Sequence, residues 1–156
     1  MPSYFEVKTY LQSKGFEPLE FEQITPDAVT SAQTIGCSVA EIAKTLLVKV
    51  GTTPVVVIAS GDMKVNSSQL KRQSGLSGKV TFPKAEEVER ETGYRPGGVS
   101  PFLLPEHLPV FVDTSLRQFG EFFPAAGNDR SAVKMTWSRL LELTGGRPVE
   151  ICRPAK

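Results

Sequence analysis

The chain has 156 residues, a formal net charge of +1 and a composition that is 40% hydrophobic and 22% charged. These values are those of an ordinary globular protein, so we expect residues 1–156 to form a single domain, and the balanced charge excludes a general polyanion binder. No apolar run is long enough to span a membrane and no signal-peptide pattern opens the chain, so we expect a cytoplasmic protein with no membrane association.

Cysteine and histidine are scarce. The chain has 2 cysteines, Cys37 and Cys152, and 1 histidine, His107. Their spacing argues against a disulfide framework and against a Cys/His metal site. We therefore predict neither a metal nor a cofactor. No long exposed apolar stripe stands out, and we expect a monomer.

The first part of the chain predicts two helices and an edge strand. A capping-box pattern at residues 3–6 precedes a helix that ends at Gly15. Residues 16–22 alternate apolar and polar side chains around a proline, which is typical of an edge strand. A second helix begins at residues 25–27, with the proline at its first position, and ends at Gly36.

A hairpin forms the predicted centre of the sheet. A second capping box, at residues 38–41, leads into a strand at residues 45–50. Residues 51–54 predict a turn, and residues 55–59 a strand that is apolar on both faces and therefore central. Lys44 lies where the short helix gives way to this hairpin.

Lys44 has two interpretations. An ammonium that enters a core costs free energy unless a partner or a hydrated cavity stabilises it. The residue is either a lysine at a strand end that extends its ammonium to water, or a functional cation.

The remaining elements are short and interleaved. After a turn and helix cap at residues 61–66, the pattern predicts a helix at 67–73, a strand at 80–82, a helix at 84–92, strands at 110–113, 119–125 and 132–135, a helix after Thr136 that ends at Gly145, and a strand at 149–152. This irregular alternation predicts an α/β fold on a mixed sheet.

Two glycine turns are candidate ligand-binding segments. Residues 93–102 contain consecutive glycines, which allow a backbone to approach a ligand closely and to direct several N–H groups at one oxygen. Residues 125–129 form a second glycine turn between predicted strands. Both segments are equally compatible with ordinary connecting loops.

Conventional catalytic motifs are absent from the sequence, which has neither a Gly-x-Ser-x-Gly elbow nor a phosphate-binding P-loop. His107 is better explained as a surface residue than as a base. Asp62 and Asp113 end strands and are either acids or turn residues. A lowered pKa is conceivable for Cys37, which follows Gly36 before a helix cap, but a small buried residue is the simpler interpretation.

Taken in order, four motifs resemble one family. They are Lys44-Thr45-Leu46 at the head of the hairpin, the Gly-x-x-x-Pro loop at residues 97–101, the Ala-Ala-Gly turn at residues 125–127 and the Leu-Thr-Gly-Gly ending at residues 143–146. This set, spread over residues 16–151, resembles the YbaK/prolyl-tRNA-synthetase-associated editing domains, which deacylate mischarged tRNA.

The resemblance implies a mixed, partly barrel-like sheet surrounded by helices, with a pocket between the lysine strand and the Gly-x-x-x-Pro loop. It implies an aminoacyl-tRNA deacylase that hydrolyses the ester at the acceptor end of tRNA, with a synthetase as a further candidate partner. Lys44 is the implied catalytic residue, which holds the terminal adenosine and orients the ester. The implied substrate-binding residues are Thr45, Gly97, Gly98, Val99, Ser100, Pro101, Phe102, Gly127 and Asn128.

Two positions depart from the family pattern. Ala132 stands where relatives that clear cysteine often carry an acid, which puts cysteine specificity in doubt. Leu103 stands where a glycine often follows the Gly-x-x-x-Pro loop. Alanine, serine, threonine and a small non-protein amino acid are all open as the amino acid removed.

Two other functions remain open at this stage. A non-catalytic module could use the same pocket to bind an aminoacyl group or a synthetase, although such a module would not need Lys44. Hydrolysis of another small acyl ester would need neither Lys44 nor a basic surface at the pocket mouth, for which Lys64, Lys71, Arg72 and Arg130 are candidates.

Overall fold

The computed structural model describes residues 2–155. In that range the helices are α1 (Tyr4–Ser13), α2 (Ala28–Ile35), α3 (Ser67–Ser74), α4 (Ala85–Thr92) and α5 (Trp137–Thr144). The strands are β1 (Leu19–Glu20), β2 (Ile42–Val50), β3 (Thr53–Ser60), β4 (Met63–Val65), β5 (Val80–Thr81), β6 (Val110–Asp113), β7 (Phe123–Pro124), β8 (Ser131–Ala132), β9 (Arg147–Val149) and β10 (Cys152–Pro154). Short 3-10 helices cover Val39–Glu41 and Thr114–Gln118. None of the helices within residues 2–155 is both long and apolar enough to cross a bilayer.

The predicted helices are confirmed, and local side chains cap them. The Ser3 hydroxyl accepts the Glu6 N–H at the start of α1, and the Asn66 side chain accepts the Gln69 N–H at the start of α3. Asp27 caps α2, so the helix begins one residue after it and Pro26 lies outside the helix. The prediction that Pro26 takes the first helical position is therefore wrong, because this proline precedes the cap.

The central hairpin is confirmed with a shorter turn than predicted. β2 has 9 residues and pairs antiparallel with β3, with Val50 opposite Thr53. The turn is therefore Gly51 and Thr52, and Pro54 belongs to β3. Gly51 has a φ of +63°, and a Cβ there would lie 2.9 Å from the carbonyl oxygen of Ser77, so only glycine fits.

A mixed sheet is built around this hairpin, as predicted. The strand order is β5-β2-β3-β6-β9, and β7 pairs with the start of β2. β5 and β3 run antiparallel to β2, whereas the pairs β3–β6, β6–β9 and β2–β7 are parallel. The sheet is open, because no pairing within residues 2–155 joins β5 to β9.

One edge of β2 is only partly covered. β7 pairs with Ile42 and Ala43, and β5 pairs with Lys49 and Val50. Between these two short strands, residues 44–48 have a strand partner only on the β3 side. This opening in the sheet positions the candidate site.

The two faces of the sheet are covered by separate apolar clusters. Leu47, Val56 and Ile58 pack with residues of α1 and α5, whereas Val48, Val55 and Val57 pack with residues that include Leu70 of α3. The period-2 alternation along β2 and β3 thus supplies both cores from one hairpin.

Three predicted strands are shorter in the structure, and the last is divided. β1 and β7 keep only two residues each, and the strand predicted at residues 132–135 is found one residue earlier as the two-residue β8 (Ser131–Ala132). The predicted strand at residues 149–152 is split because the buried Asp113 carboxylate accepts the N–H groups of Ile151 and Cys152 at 2.8 and 3.0 Å. These bonds end β9 and direct the chain into β10, which pairs with β4 in the segment predicted as a turn. Asp113 is therefore a backbone cap.

Leu103 has a positive φ of 55°, where glycine is the favoured residue. We predict that the free energy of unfolding of Leu103→Gly exceeds that of Leu103→Ala by about 1 kcal/mol. Both variants lose the same branched side chain, but only glycine relieves the strain of the positive φ. At an ordinary position the order would be reversed by about 0.5–1 kcal/mol. Urea denaturation of the two variants measures the difference, and an alanine variant at least as stable as the glycine variant would contradict the assignment.

Candidate active site

A cleft of about 490 Å³ opens beside the uncovered edge of β2. Five segments form its walls, which are the start of β2, the start of α2, the turn between β3 and β4, the glycine loop and the region of β7 and β8. Its lining residues are Thr25, Pro26, Asp27, Ala28, Val29, Ser31, Ile42, Ala43, Lys44, Thr45, Leu46, Gly61, Gly97, Val99, Phe123, Ala125, Ser131 and Ala132. Most of these side chains are small or apolar, so the cleft accepts a compact group of low polarity.

Lys44 is the one cationic side chain that lines the described cleft. Its half-buried ammonium donates a hydrogen bond to the carbonyl oxygen of Met63. Burial lowers the pKa of Lys44 below its ordinary value, and the charge of Asp62 partly offsets that effect. Cys152 lies nearby, but burial raises the pKa of its thiol to about 12, so it is neutral at physiological pH.

Two buried hydroxyls in the cleft wall have no hydrogen-bond partner among residues 2–155. They belong to Thr45, which is 8% exposed, and Ser131, which is 4% exposed. An unpaired buried hydroxyl costs about 1–3 kcal/mol. Two such groups, one in β2 and one in β8, indicate that the cleft is shaped for a partner that brings hydrogen-bonding atoms.

The backbone of β2 adds further polar groups to the cleft. Gly51 N–H donates to the Lys79 carbonyl oxygen at 2.9 Å, so the odd-numbered residues of β2 direct their main-chain groups away from β3. Thr45 is one of these residues, and it lies between the segments that β7 and β5 cover. Its N–H and C=O therefore face the open edge.

The glycine loop reaches the cleft through Gly97 and Val99. Gly97 has a φ of +89°, and a Cβ there would lie 3.3 Å from the Pro26 carbonyl oxygen. The Tyr94 hydroxyl donates to the Phe102 carbonyl oxygen and so joins the two ends of the loop. This packing fixes the loop against the segment that precedes α2.

The structure places the predicted site residues in three groups. Lys44, Thr45, Gly97 and Val99 line the cleft. Gly98, Gly127 and Asn128 line a second cavity, of about 360 Å³, on the other side of the same loop. Ser100, Pro101 and Phe102 are buried behind the loop, with Phe102 in the core. The catalytic role of Lys44 and the substrate-binding roles of the other nine residues stay predictions.

Sequence reasoning missed the α2 wall of the cleft. Residues 25–29 were predicted only as a helix start, yet Thr25 N–H and its hydroxyl donate to the Asp129 carbonyl oxygen at 2.6 and 2.9 Å. These bonds join segments separated by 104 residues in the chain. Short-range patterns carry no signal for such a contact.

Two other candidate residues of the sequence analysis, His107 and Cys37, do not contribute to the cleft. The His107 side chain is 66% exposed and lies 3.7 Å from Glu91, outside the cleft. Burial raises the pKa of the Cys37 thiol, so the suggestion from the sequence that this pKa is lowered is wrong. Within residues 2–155, no three His, Cys, Asp or Glu side chains gather as metal ligands.

The buried ammonium of Lys44 predicts a pH-dependent stability difference. Because burial disfavours the charged form, the folded chain binds fewer protons at Lys44 than the unfolded chain does between the two pKa values. The wild type should therefore gain stability relative to Lys44→Met as the pH rises toward about 10.4, the ordinary pKa of lysine. Urea denaturation of both proteins across the alkaline range measures this difference. If the unfolding free energies of the two proteins changed with pH in parallel, burial would not disfavour the charged form of Lys44.

Comparison with known proteins identifies the family. Residues 23–143 match the aminoacyl-tRNA editing domain family. The Bacillus subtilis protein YwhH, which is uncharacterised, is 32% identical over 136 residues, covering 86% of this chain and 85% of that protein. An Enterococcus faecalis protein named as a candidate Cys-tRNA(Pro)/Cys-tRNA(Cys) deacylase, EbsC, is 30% identical over 126 residues, covering 80% of this chain and 76% of that protein.

A longer relative and a solved crystal structure agree with this match. A Bacillus licheniformis proline–tRNA ligase is 29% identical over 132 residues, which cover 81% of this chain but 22% of the ligase. A crystal structure described as a candidate trans-editing enzyme for prolyl-tRNA synthetase superposes with a TM-score of 0.86 at 28% identity, covering 98% of each chain. The sequence match, the superposition and the cleft beside the lysine strand lead to one conclusion: the chain belongs to the aminoacyl-tRNA editing domain family.

Proposed function

We propose that the protein is a deacylase that hydrolyses the ester of mischarged aminoacyl-tRNA in trans. The observation that carries the proposal is the Lys44 ammonium at a cleft of about 490 Å³ whose other lining side chains are, apart from the Asp27 carboxylate, apolar, small or hydroxyl-bearing. A cleft of this kind fits an aminoacyl group, and the cation fits the phosphate or ribose of the terminal adenosine to which that group is attached. The tRNA named for EbsC and the ligase similarity favour a tRNA(Pro)-type substrate.

The proposed reaction needs no protein nucleophile. A water oxygen attacks the ester carbonyl carbon, the bond from that carbon to the ribose oxygen breaks, and the ribose oxygen takes up a proton. The ester is already activated, so the enzyme has to place the reactants and stabilise the oxyanion. Lys44 orients the terminal adenosine, and N–H groups of the loop at Gly97 and Val99 are the proposed oxyanion donors.

The walls of the cleft favour a small uncharged amino acid. Ala43, Ala125 and Ala132 leave room without supplying charge, and Ala132 occupies the position where an acid would suit cysteine-clearing relatives. The unpaired hydroxyls of Thr45 and Ser131 can accept or donate a hydrogen bond to a polar side chain. We therefore propose alanine, serine or threonine as the amino acid removed, by a monomer that acts on the acceptor end and needs no cofactor.

Deacylation of a panel of tRNAs tests the proposal. The protein is incubated with tRNA(Pro) that carries alanine, serine, threonine, cysteine or proline, and the remaining ester is measured over time. We expect selective loss of one small non-cognate ester and a decrease of about 100-fold or more in its hydrolysis rate for Lys44→Ala, as for removal of a positioned charge-stabilising group.

The matched control is Lys49→Ala, which removes a lysine from the same strand. Lys49 lies at the far end of β2 and pairs with Glu87 at 3.0 Å, outside the cleft. The Lys49→Ala substitution should leave the hydrolysis rate nearly unchanged. Hydrolysis no faster than in buffer, by a folded wild-type protein, would contradict the deacylase and leave a non-catalytic aminoacyl-binding module as the better explanation.

A further inference from the structure

Two cations face each other across a short β-ribbon. In the antiparallel pairing of β4 with β10, Lys64 lies directly opposite Arg153. Cys152 on the same ribbon is buried, and Met63 and Val65 pack against its cluster, so the ribbon is apolar on its inner face. Lys64 and Arg153 are both exposed on the outer face. Directly opposed residues have Cβ atoms about 4.5–5.5 Å apart.

The structure does not neutralise this pair. Like charges directly opposite one another destabilise a ribbon. The ion pairs formed within residues 2–155 involve other lysines and arginines, and none of the carboxylates in that range lies within 4.0 Å of Lys64 or Arg153. The carboxylate of the nearby Asp62 accepts the Ser60 hydroxyl at 2.9 Å. The ribbon therefore carries two exposed cations without an ion pair among the described residues, and their repulsion weakens the pairing of β4 with β10.

The ribbon begins at the wall of the cleft. Gly61 lines the cleft, and the Met63 carbonyl oxygen accepts the Lys44 ammonium. Gly61 and Lys64 are three positions apart in the chain, which places their Cα atoms at most about 11 Å apart. Lys71 and Arg72, in the last turn of α3, follow the same ribbon and also lie outside the ion pairs of the described residues.

We propose that Lys64 and Arg153 form a docking surface for the phosphate backbone of the RNA strand that leads into the cleft. The inference rests on the proposed function, because it takes the substrate to be the aminoacylated 3′ end of a tRNA. Paired cations without carboxylate partners suit consecutive phosphodiesters, and a local pair is the form such contact takes on a chain whose net charge is +1. The surface extends the positive charge of Lys44 out of the cleft along the path of the strand.

Arg153→Glu tests this surface with two opposite effects. The substitution turns the repelling pair into an opposite-charge pair, so the midpoint of urea denaturation should rise. Binding of uncharged tRNA, measured by fluorescence anisotropy over a salt series, should weaken about tenfold at low salt. The slope of log affinity against log salt should shrink by about 1 for each lost phosphate contact.

The matched control is Lys79→Glu, which makes the same change in net charge at another exposed lysine. Lys79 lies opposite Gly51 at the far end of β2, about 20 Å from Lys44 along the strand. The Lys79→Glu substitution should lower the tRNA affinity much less than Arg153→Glu does. Equal losses from the two variants would overturn the inference and indicate a general charge effect.

Two further outcomes separate this inference from the proposed function. Unchanged tRNA binding and salt slope in Arg153→Glu would overturn the docking surface, even if the wild type deacylates tRNA. Hydrolysis of a free aminoacyl-adenosine ester should be the same for wild type and Arg153→Glu, because the ester lacks the docked strand. A decrease in that hydrolysis would place Arg153 in the catalytic cleft and overturn its role as a docking residue.

Discussion

The ammonium of Lys44 is the constraint on which the site depends. It is half-buried beside an apolar cleft, and the carbonyl oxygen of Met63 is the partner that the fold gives it. A cation in this position lowers stability relative to an apolar side chain, since burial disfavours its charged form. Such a cost is common at functional sites, where the arrangement of polar groups serves a ligand rather than the fold.

The cleft exists because the sheet is incomplete. β7 and β5 cover the two ends of β2 and leave its middle open, so the backbone of Thr45 faces the cleft. A longer strand on this side would bury Lys44 and close the space. Asp113 has a complementary role, because its carboxylate turns the chain from β9 into β10 and so places the β4–β10 ribbon beneath the lysine.

The sequence predicted the helices and the long hairpin well, and the short strands poorly. Ser3, Asp27 and Asn66 are local caps whose hydrogen bonds reach only three residues along the chain. Residues 45–50 of β2 follow a period-2 pattern, and residues 55–59 of β3 form a continuous apolar run, so both strands of the hairpin carry a local signal. Two-residue strands such as β1 and β8 have no period of their own, and they form only because Leu19 meets Ala132 from a distant part of the chain.

The sequence by itself determined the family resemblance, the α/β class with its mixed sheet, and the position of Lys44 at the head of the hairpin, because each depends on local patterns or their order. Only the tertiary structure decided which candidates share a cavity: Gly97 reaches the cleft, whereas Gly98 faces the cavity that Gly127 lines. It also decided that Thr25 adds a wall and that Lys64 meets Arg153. These arrangements depend on contacts between residues about 30 to 104 positions apart, which no local pattern encodes.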